Sequence, residues 1–194
     1  MKSANIAPQL MVALDVPSRE ETLALARTLA GTAPWCKVGM EMFTHAGPPL
    51  LEELAALGYS IFLDLKFYDI PHTVAQAVKA ASGVGVNMLT LHCQGGEPDF
   101  ARTLATNAQS WGLDGVVCSG HEAADIKAAC PSLMCLCPGI RPAGSVADDQ
   151  RRVMTPAQAV AAGADYLVVG RPIIAAPDPL MAAKQILAEM ASAT

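Results

Sequence analysis

The sequence is poor in charge and has no basic cluster. Lys and Arg number 13 against 18 Asp and Glu, charged residues make up 16% of the chain, and the formal net charge is −5. A nucleic-acid partner calls for Lys and Arg gathered on one face, so none is expected, although a single Arg in a pocket is enough to hold a phosphate. No apolar run approaches the roughly 18 residues of a membrane span, so no membrane partner is expected either. The first residues, MKSANIAPQL, lack the long apolar segment of a secretory leader, which makes a cytoplasmic protein the expectation. Of six cysteines (Cys36, Cys93, Cys118, Cys130, Cys135, Cys137), none forms a C-x-x-C pair, and no four ligands fall at zinc-site spacing. They read as small buried hydrophobes in a reducing compartment. Long Pro/Ser linkers and low-complexity tracts are also missing, so residues 1–194 are expected to form a single α/β domain.

What the chain does have is a rhythm. Short apolar runs recur at 10–15 (LMVALD), 36–40 (CKVGM), 61–66 (IFLDLK), 88–93 (MLTLHC), 115–120 (GVVCSG), 133–141 (LMCLCPGIR) and 166–171 (YLVVGR). Each is short, aliphatic and bounded by Gly, Pro or a charge, as buried parallel strands are. Ala/Leu/Glu-rich stretches with helical spacing lie between them. SREETLALARTLAG opens with Ser18-x-x-Glu21, a capping-box pattern, and TPAQAVAAGA carries Pro156 where a first helical turn accepts it. The alternation predicts right-handed βα units, with the tail after Pro177 as one closing helix.

Polar residues stand at the C-terminal ends of these runs: Asp15, Lys66, His92, Ser119, Arg141 and Arg171. An open doubly wound sheet gathers its ligands at one switch point, whereas a barrel collects them from almost every strand. The spread favours the (β/α)8 TIM-barrel type. Such a barrel has eight strands, and this chain supplies only seven strand candidates.

The stretch DLKFYDIPHT (64–73) crowds two carboxylates and an ammonium at the end of a buried run. In a regular strand Asp64 and Lys66 project to the same side, and Asp69 follows in the turn before Ile70-Pro71. Lys37, on the preceding strand, falls within reach of Asp64. The alternation Lys37, Asp64, Lys66, Asp69 satisfies itself electrostatically without a metal and leaves a fixed, dry proton donor in a cavity. As a purely structural ion-pair network it would be a costly way to close the end of a barrel.

The second constellation is PGIRPAG…DDQ (138–150) with VVGRP (168–172), after the last two runs. Loops in these positions often hold a phosphate in α/β barrels. Gly170 lets its N–H approach an oxyanion, Arg171 offers a forked guanidinium, and Gln150 adds a neutral donor.

With these residues in view, LD at 14–15, KVGMEMF at 37–43, FLDLKFYDIPHT at 62–73, GLDGVVCSGHEA at 112–123 and the segment 138–173 resemble the orotidine 5'-phosphate decarboxylase family over nearly the whole chain. The D-x-K-x-x-D-I-P core is the most specific part. The resemblance implies cofactor-free, metal-free decarboxylation of orotidine 5'-monophosphate to UMP in pyrimidine biosynthesis. It implies Lys66 as proton donor to C6, Asp64 against the departing carboxylate, and Lys37 and Asp15 on the ribose. Asp69, Ile70 and Thr73 would reach into a neighbouring subunit's site, giving a homodimer with shared active sites. Arg141, Gln150, Gly170 and Arg171 would hold the phosphate.

The resemblance breaks between LHCQGGEPDFARTL and NAQSWGLDGVVCSG, where the family has a further strand, its loop and most of a helix. The chain passes straight from one unit to the next near residues 103–109, and the fifth βα unit is missing. Every member of the Lys/Asp set precedes the break, and the phosphate loops follow it. Strand number, tilt and shear of a barrel are linked, so losing one strand bears on where the rest stand. Two other readings follow. One is a deletion variant that binds phosphate or nucleotide with little or no turnover. The other is a metal-assisted sugar-phosphate decarboxylase or aldolase, a class that shares the D-x-K strand but not the full run. The remaining marks have plainer explanations. His92 faces the site or packs in the core, Glu122 caps a helix, the methionines fill the core, and Trp35 and Trp111 precede strands.

Overall fold

The computed structural model describes residues 7–67, 69, 71–91, 105–106, 108–110, 114–142 and 153–193. Seven strands are found among them, all in parallel pairs: β1 (Gln9–Ala13), β2 (Trp35–Gly39), β3 (Ser60–Phe67), β4 (Val86–Leu91), β5 (Gly115–Val117), β6 (Met134–Cys137) and β7 (Tyr166–Val169). The helices are α1 (Arg19–Leu29), α2 (Met40–Ala56), α3 (Pro71–Ser82), α4 (Gly120–Ala129), α5 (Pro156–Ala161), α6 (Arg171–Ile174) and α7 (Pro179–Ala191). Each of the seven expected runs overlaps a strand, with ends displaced by up to four residues. The chain divides into two compact units.

One unit comprises Met11–Cys93 and Ile173–Ala183. Its strands run in the order β4-β3-β2-β1, each parallel to the next. Met11, Val12, Cys36, Val38 and Ile61 are fully buried, as expected in a parallel sheet shielded on both sides. α1 begins where the sequence places it: Ser18 Oγ accepts the Glu21 N–H, and its hydroxyl donates to the Glu21 carboxylate. The reach of Glu21 back to the N-cap backbone, which a complete capping box would have, is replaced by that contact. α2 is interrupted. Gly47 takes φ 59°, Pro48 and Pro49 lack the N–H a continuous helix needs, and the helix restarts to bury Leu50, Leu51 and Leu54. Trp35 is the first residue of β2 and is half-buried; Trp111 lies outside the described residues.

The other unit comprises Met1–Leu10, Gln94–Pro172 and Lys184–Thr194. Its strands follow the order β7-β6-β5, and the Gln9 N–H donates to Asp165 O at 2.9 Å. Complete capping boxes open α4 (Ser119 with Glu122) and α5 (Thr155 with Gln158, Pro156 in the first turn). Asp165 Oδ2 accepts from the Cys135 N–H at 2.7 Å and pairs with Lys127 Nζ at 2.7 Å, tying the start of β7 to β6 and α4. The five described cysteines are free and buried, as expected, and Cys93 is outside the described residues. Cys118 and Cys137 bring their sulfurs to 3.8 Å; a hydrogen bond with Cys135 pulls the Cys118 thiol down, but the bond with Cys137 and then burial outweigh it and push the thiol upward. Among the described residues no helix is long and apolar enough to cross a membrane.

Candidate active site

The strands of the first unit deliver four charged side chains to one place. Lys37, in the middle of β2, sets Nζ at 2.9 Å from both oxygens of Asp15, just beyond β1. The same ammonium lies 3.9 Å from Asp64 Oδ2, and the opposite oxygen, Asp64 Oδ1, is 2.8 Å from Lys66 Nζ. The signs alternate through space as Asp15, Lys37, Asp64, Lys66. Lys37 and Asp64 are the sheltered pair, with side chains 12% and 16% exposed, while Asp15 and Lys66 are 48% and 43% exposed. Charges at these separations attract by about 4 kcal/mol at an effective dielectric of ~20, with the outer two screened most.

This geometry corrects the sequence reading in three respects. Asp15 joins the alternation of charge at its Lys37 end, a contact the sequence reading did not give it, and Asp69 stands in the exposed bend beyond β3. The Lys66 ammonium is not dry, since nearly half of its side chain meets solvent. Asp64 and Lys66 do meet, but not through a two-residue strand period. β3 and β4 pair at Leu63↔Leu89 and next at Phe67↔Leu91, so residues 64–66 bulge opposite a single residue. Within the bulge Lys66 takes φ 54°, a left-handed conformation costing a side chain about 1–3 kcal/mol. The bulge re-aims the lysine toward the aspartate.

The sequence reading missed Thr90, which sits opposite the bulge. Its Oγ1 accepts the Lys66 backbone N–H at 2.8 Å and donates to Asp64 Oδ1 at 3.1 Å. The only signal it left was a hydroxyl in the middle of an apolar strand, MLTLHC, and the β propensity of Thr disguised it. A similar repair occurs earlier on the same pair, where Asn87 Oδ1 accepts the Ile61 N–H at 2.8 Å across a register shift. Gly39 closes the array from below: a Cβ there would stand 3.1 Å from Lys37 Nζ and 3.2 Å from Asp15 Oδ1.

The remaining predicted positions are placed as follows. Thr73 is exposed on α3, and Ile70, Gln150 and His92 lie outside the described residues. In the second unit Arg141 is 8% exposed; its backbone N–H pairs with Met154 O, and its guanidinium donates to Ile140 O at 3.0 Å. Gly170 is half-buried after β7. Arg171 opens the short helix α6 instead of ending a strand and is exposed, because β7 stops at Val169. Among the described residues no group of three or more His, Cys, Asp or Glu is disposed to hold a metal ion.

Comparison with known proteins gives this arrangement a context. The orotidine 5'-phosphate decarboxylase / HUMPS family profile matches residues 8–98 and 98–186. An orotidine 5'-phosphate decarboxylase of Nitratidesulfovibrio vulgaris is 44% identical, the match covering 95% of this chain and 98% of that protein. One from Nitrosococcus oceani is 42% identical over 95% and 98%. Among solved structures, the orotidine 5'-phosphate decarboxylase of Pyrococcus horikoshii OT3 superposes with a TM-score of 0.82 at 25% identity, covering 94% of this chain and 99% of that one. The α/β fold of TIM-barrel type expected from the sequence is therefore the fold observed. The N. vulgaris alignment runs over 230 positions against 194 residues here, so that relative carries segments this chain leaves out. The two matched pieces meet at residue 98, slightly before the join read at 103–109.

Proposed function

The chain belongs to the orotidine 5'-phosphate decarboxylase / HUMPS family, and on that premise we propose that it is a carboxy-lyase converting orotidine 5'-monophosphate to UMP in pyrimidine biosynthesis. The observation that carries the proposal is the Asp15–Lys37–Asp64–Lys66 array, in which a lysine ammonium is held 2.8 Å from a sheltered carboxylate.

Decarboxylation breaks the bond between C6 and the carboxylate; CO2 leaves and the electron pair remains on C6. Lys66 stabilises that charge and then gives C6 its proton. Asp64 faces the departing carboxylate. At ~4 Å and an effective dielectric of ~20 the two repel by about 4 kcal/mol, partly offset by Lys37 and Lys66, and the repulsion ends when neutral CO2 departs. Lys37 and Asp15 take the ribose hydroxyls. Arg141, Gln150, Gly170 and Arg171 take the phosphate, whose binding energy is remote from the reacting carbon and helps to organise the site around it. Bound nucleotide displaces the water now reaching Lys66, which strengthens each of these interactions.

A homodimer with shared sites belongs to the same proposal, with Asp69, Ile70 and Thr73 reaching the neighbouring subunit. It is supported by the exposure of Asp69 and Thr73. The proposal also takes the chain as one cytoplasmic domain that uses no metal or organic cofactor. The two-piece family match favours a second reading, a deletion variant that binds nucleotide without turning it over. The experiment is loss of orotidine 5'-monophosphate absorbance with purified protein, with and without chelator, beside a UMP binding titration. Chelator-insensitive turnover is the expected result. UMP binding without turnover supports the deletion variant, and turnover abolished by chelator and restored by a divalent metal overturns the cofactor-free account.

A further inference from the structure

Thr90, the penultimate residue of β4, faces an irregular stretch of β3. Three residues of β3, Asp64 to Lys66, oppose Thr90 alone, so the regular ladder offers the Lys66 N–H no carbonyl at that point. Thr90 Oγ1 takes that N–H at 2.8 Å. The hydroxyl's own proton has one destination there, Asp64 Oδ1 at 3.1 Å, because a backbone N–H can only donate and an ionised carboxylate can only accept. Hydroxyl polarity is thus fixed by its two partners, and the residue is 8% exposed with a stiff β-branched χ1. One group therefore holds the backbone of Lys66 and the carboxylate of Asp64 together. The other Asp64 oxygen is left for Lys37, and Oδ1 is shared between Thr90 and Lys66 Nζ.

We propose that Thr90 is a positioning residue of the decarboxylation site, pinning the left-handed turn at Lys66 and the carboxylate of Asp64 so that the ammonium is held where the proton must be delivered. Thr90 acts through these two residues; a role in substrate affinity is no part of the proposal. The unusual backbone at Lys66 gives the anchor its importance. A side chain at φ 54° returns to an ordinary extended conformation once its N–H is released, and the ammonium moves with it.

The inference rests on the function proposed above, and its test keeps the two separable. Thr90→Val preserves shape and removes both hydrogen bonds, and Thr90→Ser restores the hydroxyl. The expected result is that kcat for orotidine 5'-monophosphate falls about tenfold to a hundredfold in Thr90→Val, as for a displacement of order 1 Å. KM should stay within about twofold, and Thr90→Ser should recover most of kcat. In parallel, amide hydrogen exchange at Lys66 should quicken about tenfold in Thr90→Val, the loss of one hydrogen bond, and not in Thr90→Ser. Thr90→Ala is read the same way should the valine variant fail to fold. An unchanged kcat in Thr90→Val, or an equal loss in Val and Ser, overturns the proposal. If the wild-type chain itself has no turnover, the decarboxylase reading fails and exchange decides the anchor. Acceleration at Lys66 confined to Thr90→Val upholds it, and equal rates overturn it.

Discussion

Lys37 bridges Asp15 and Asp64: its ammonium is 2.9 Å from both oxygens of the first and 3.9 Å from the nearer oxygen of the second. One cation on β2 thereby lets carboxylates from the two strands that flank it, Asp15 just beyond β1 and Asp64 within β3, stand close together, with the Asp64 side chain only 16% exposed. Asp64, the carboxylate proposed to meet the substrate, is tolerable in the resting protein because of this lysine.

Lys37→Met is therefore expected to lower kcat/KM by about a hundredfold to a thousandfold, the range seen when one preorganised charge is removed from a site. Asp15→Asn on the same background should add little, since the pair acts as a unit. A double-mutant cycle on kcat/KM measures this, and full additivity contradicts the bridge.

Gly39 separates activity from folding. Its φ of −90° and ψ of 178° suit any residue, yet a methyl group there would press on Lys37 Nζ at 3.1 Å and Asp15 Oδ1 at 3.2 Å. Gly39→Ala should melt within a few degrees of wild type and lose about tenfold or more of kcat/KM, because sub-ångström displacement at the site costs rate without exposing core. Melting curves and steady-state kinetics on one preparation check both halves.

Stability should fall at alkaline pH. Burial pushes the Cys36 thiol up from 9.0 to about 12, and burial together with Cys36 pushes the Tyr59 phenol, which donates to Ala26 O, from 10.0 to about 12. Both groups are neutral when protonated, so the fold holds their protons more tightly than the unfolded chain does. Their contribution is complete below 9.0 and 10.0 respectively and is lost as pH rises through about 12. Melting temperature should hold steady to about pH 9 and then decline. Cys36→Ala and Tyr59→Phe should each shallow the decline.

Asp165 is expected to matter for folding alone. It closes the start of β7 through the Cys135 N–H and Lys127 Nζ, both at 2.7 Å. Asp165→Ala should cost about 2 kcal/mol, within the range for hydrogen bonds to a charged group. kcat per folded molecule should be retained. Urea denaturation and active-site titration together decide it.

Much of this was legible in the sequence, for identifiable reasons. Seven apolar runs became seven strands because residues buried on both faces of a parallel sheet leave an unbroken aliphatic signature. The helix starts after Ser18 and at Pro156 and the capping role of Glu122 were readable because capping is a contact within one turn, whereas the complete boxes at Ser119 and Thr155 emerged only in the structure. The meeting of Lys66 and Asp64 was anticipated, although the strand period was the wrong reason for it. A bulge is a relation between two strands, and nothing in LDLKF records that Phe67 pairs with Leu91. Thr90 stayed hidden for the same cause, its role existing only across the β3–β4 pair. Asp15 was assigned to the ribose, and its two bonds to Lys37 emerged only when β1 and β2 were set side by side. The break in family likeness was visible because it removes a whole unit from a repeating pattern, and its position shifted by a few residues since helical phase continues across the join.

In the proposed reaction, Lys66 of this shortened chain protonates C6 after CO2 leaves. The most direct measurement is single-turnover conversion of orotidine 5'-monophosphate to UMP by wild type and by Lys66→Ala, each first shown to be folded and to bind UMP. Turnover by the wild type is expected, with its loss by at least about a thousandfold in Lys66→Ala and UMP affinity changed far less. Turnover that survives Lys66→Ala, or a folded, UMP-binding wild type with no turnover, would contradict it.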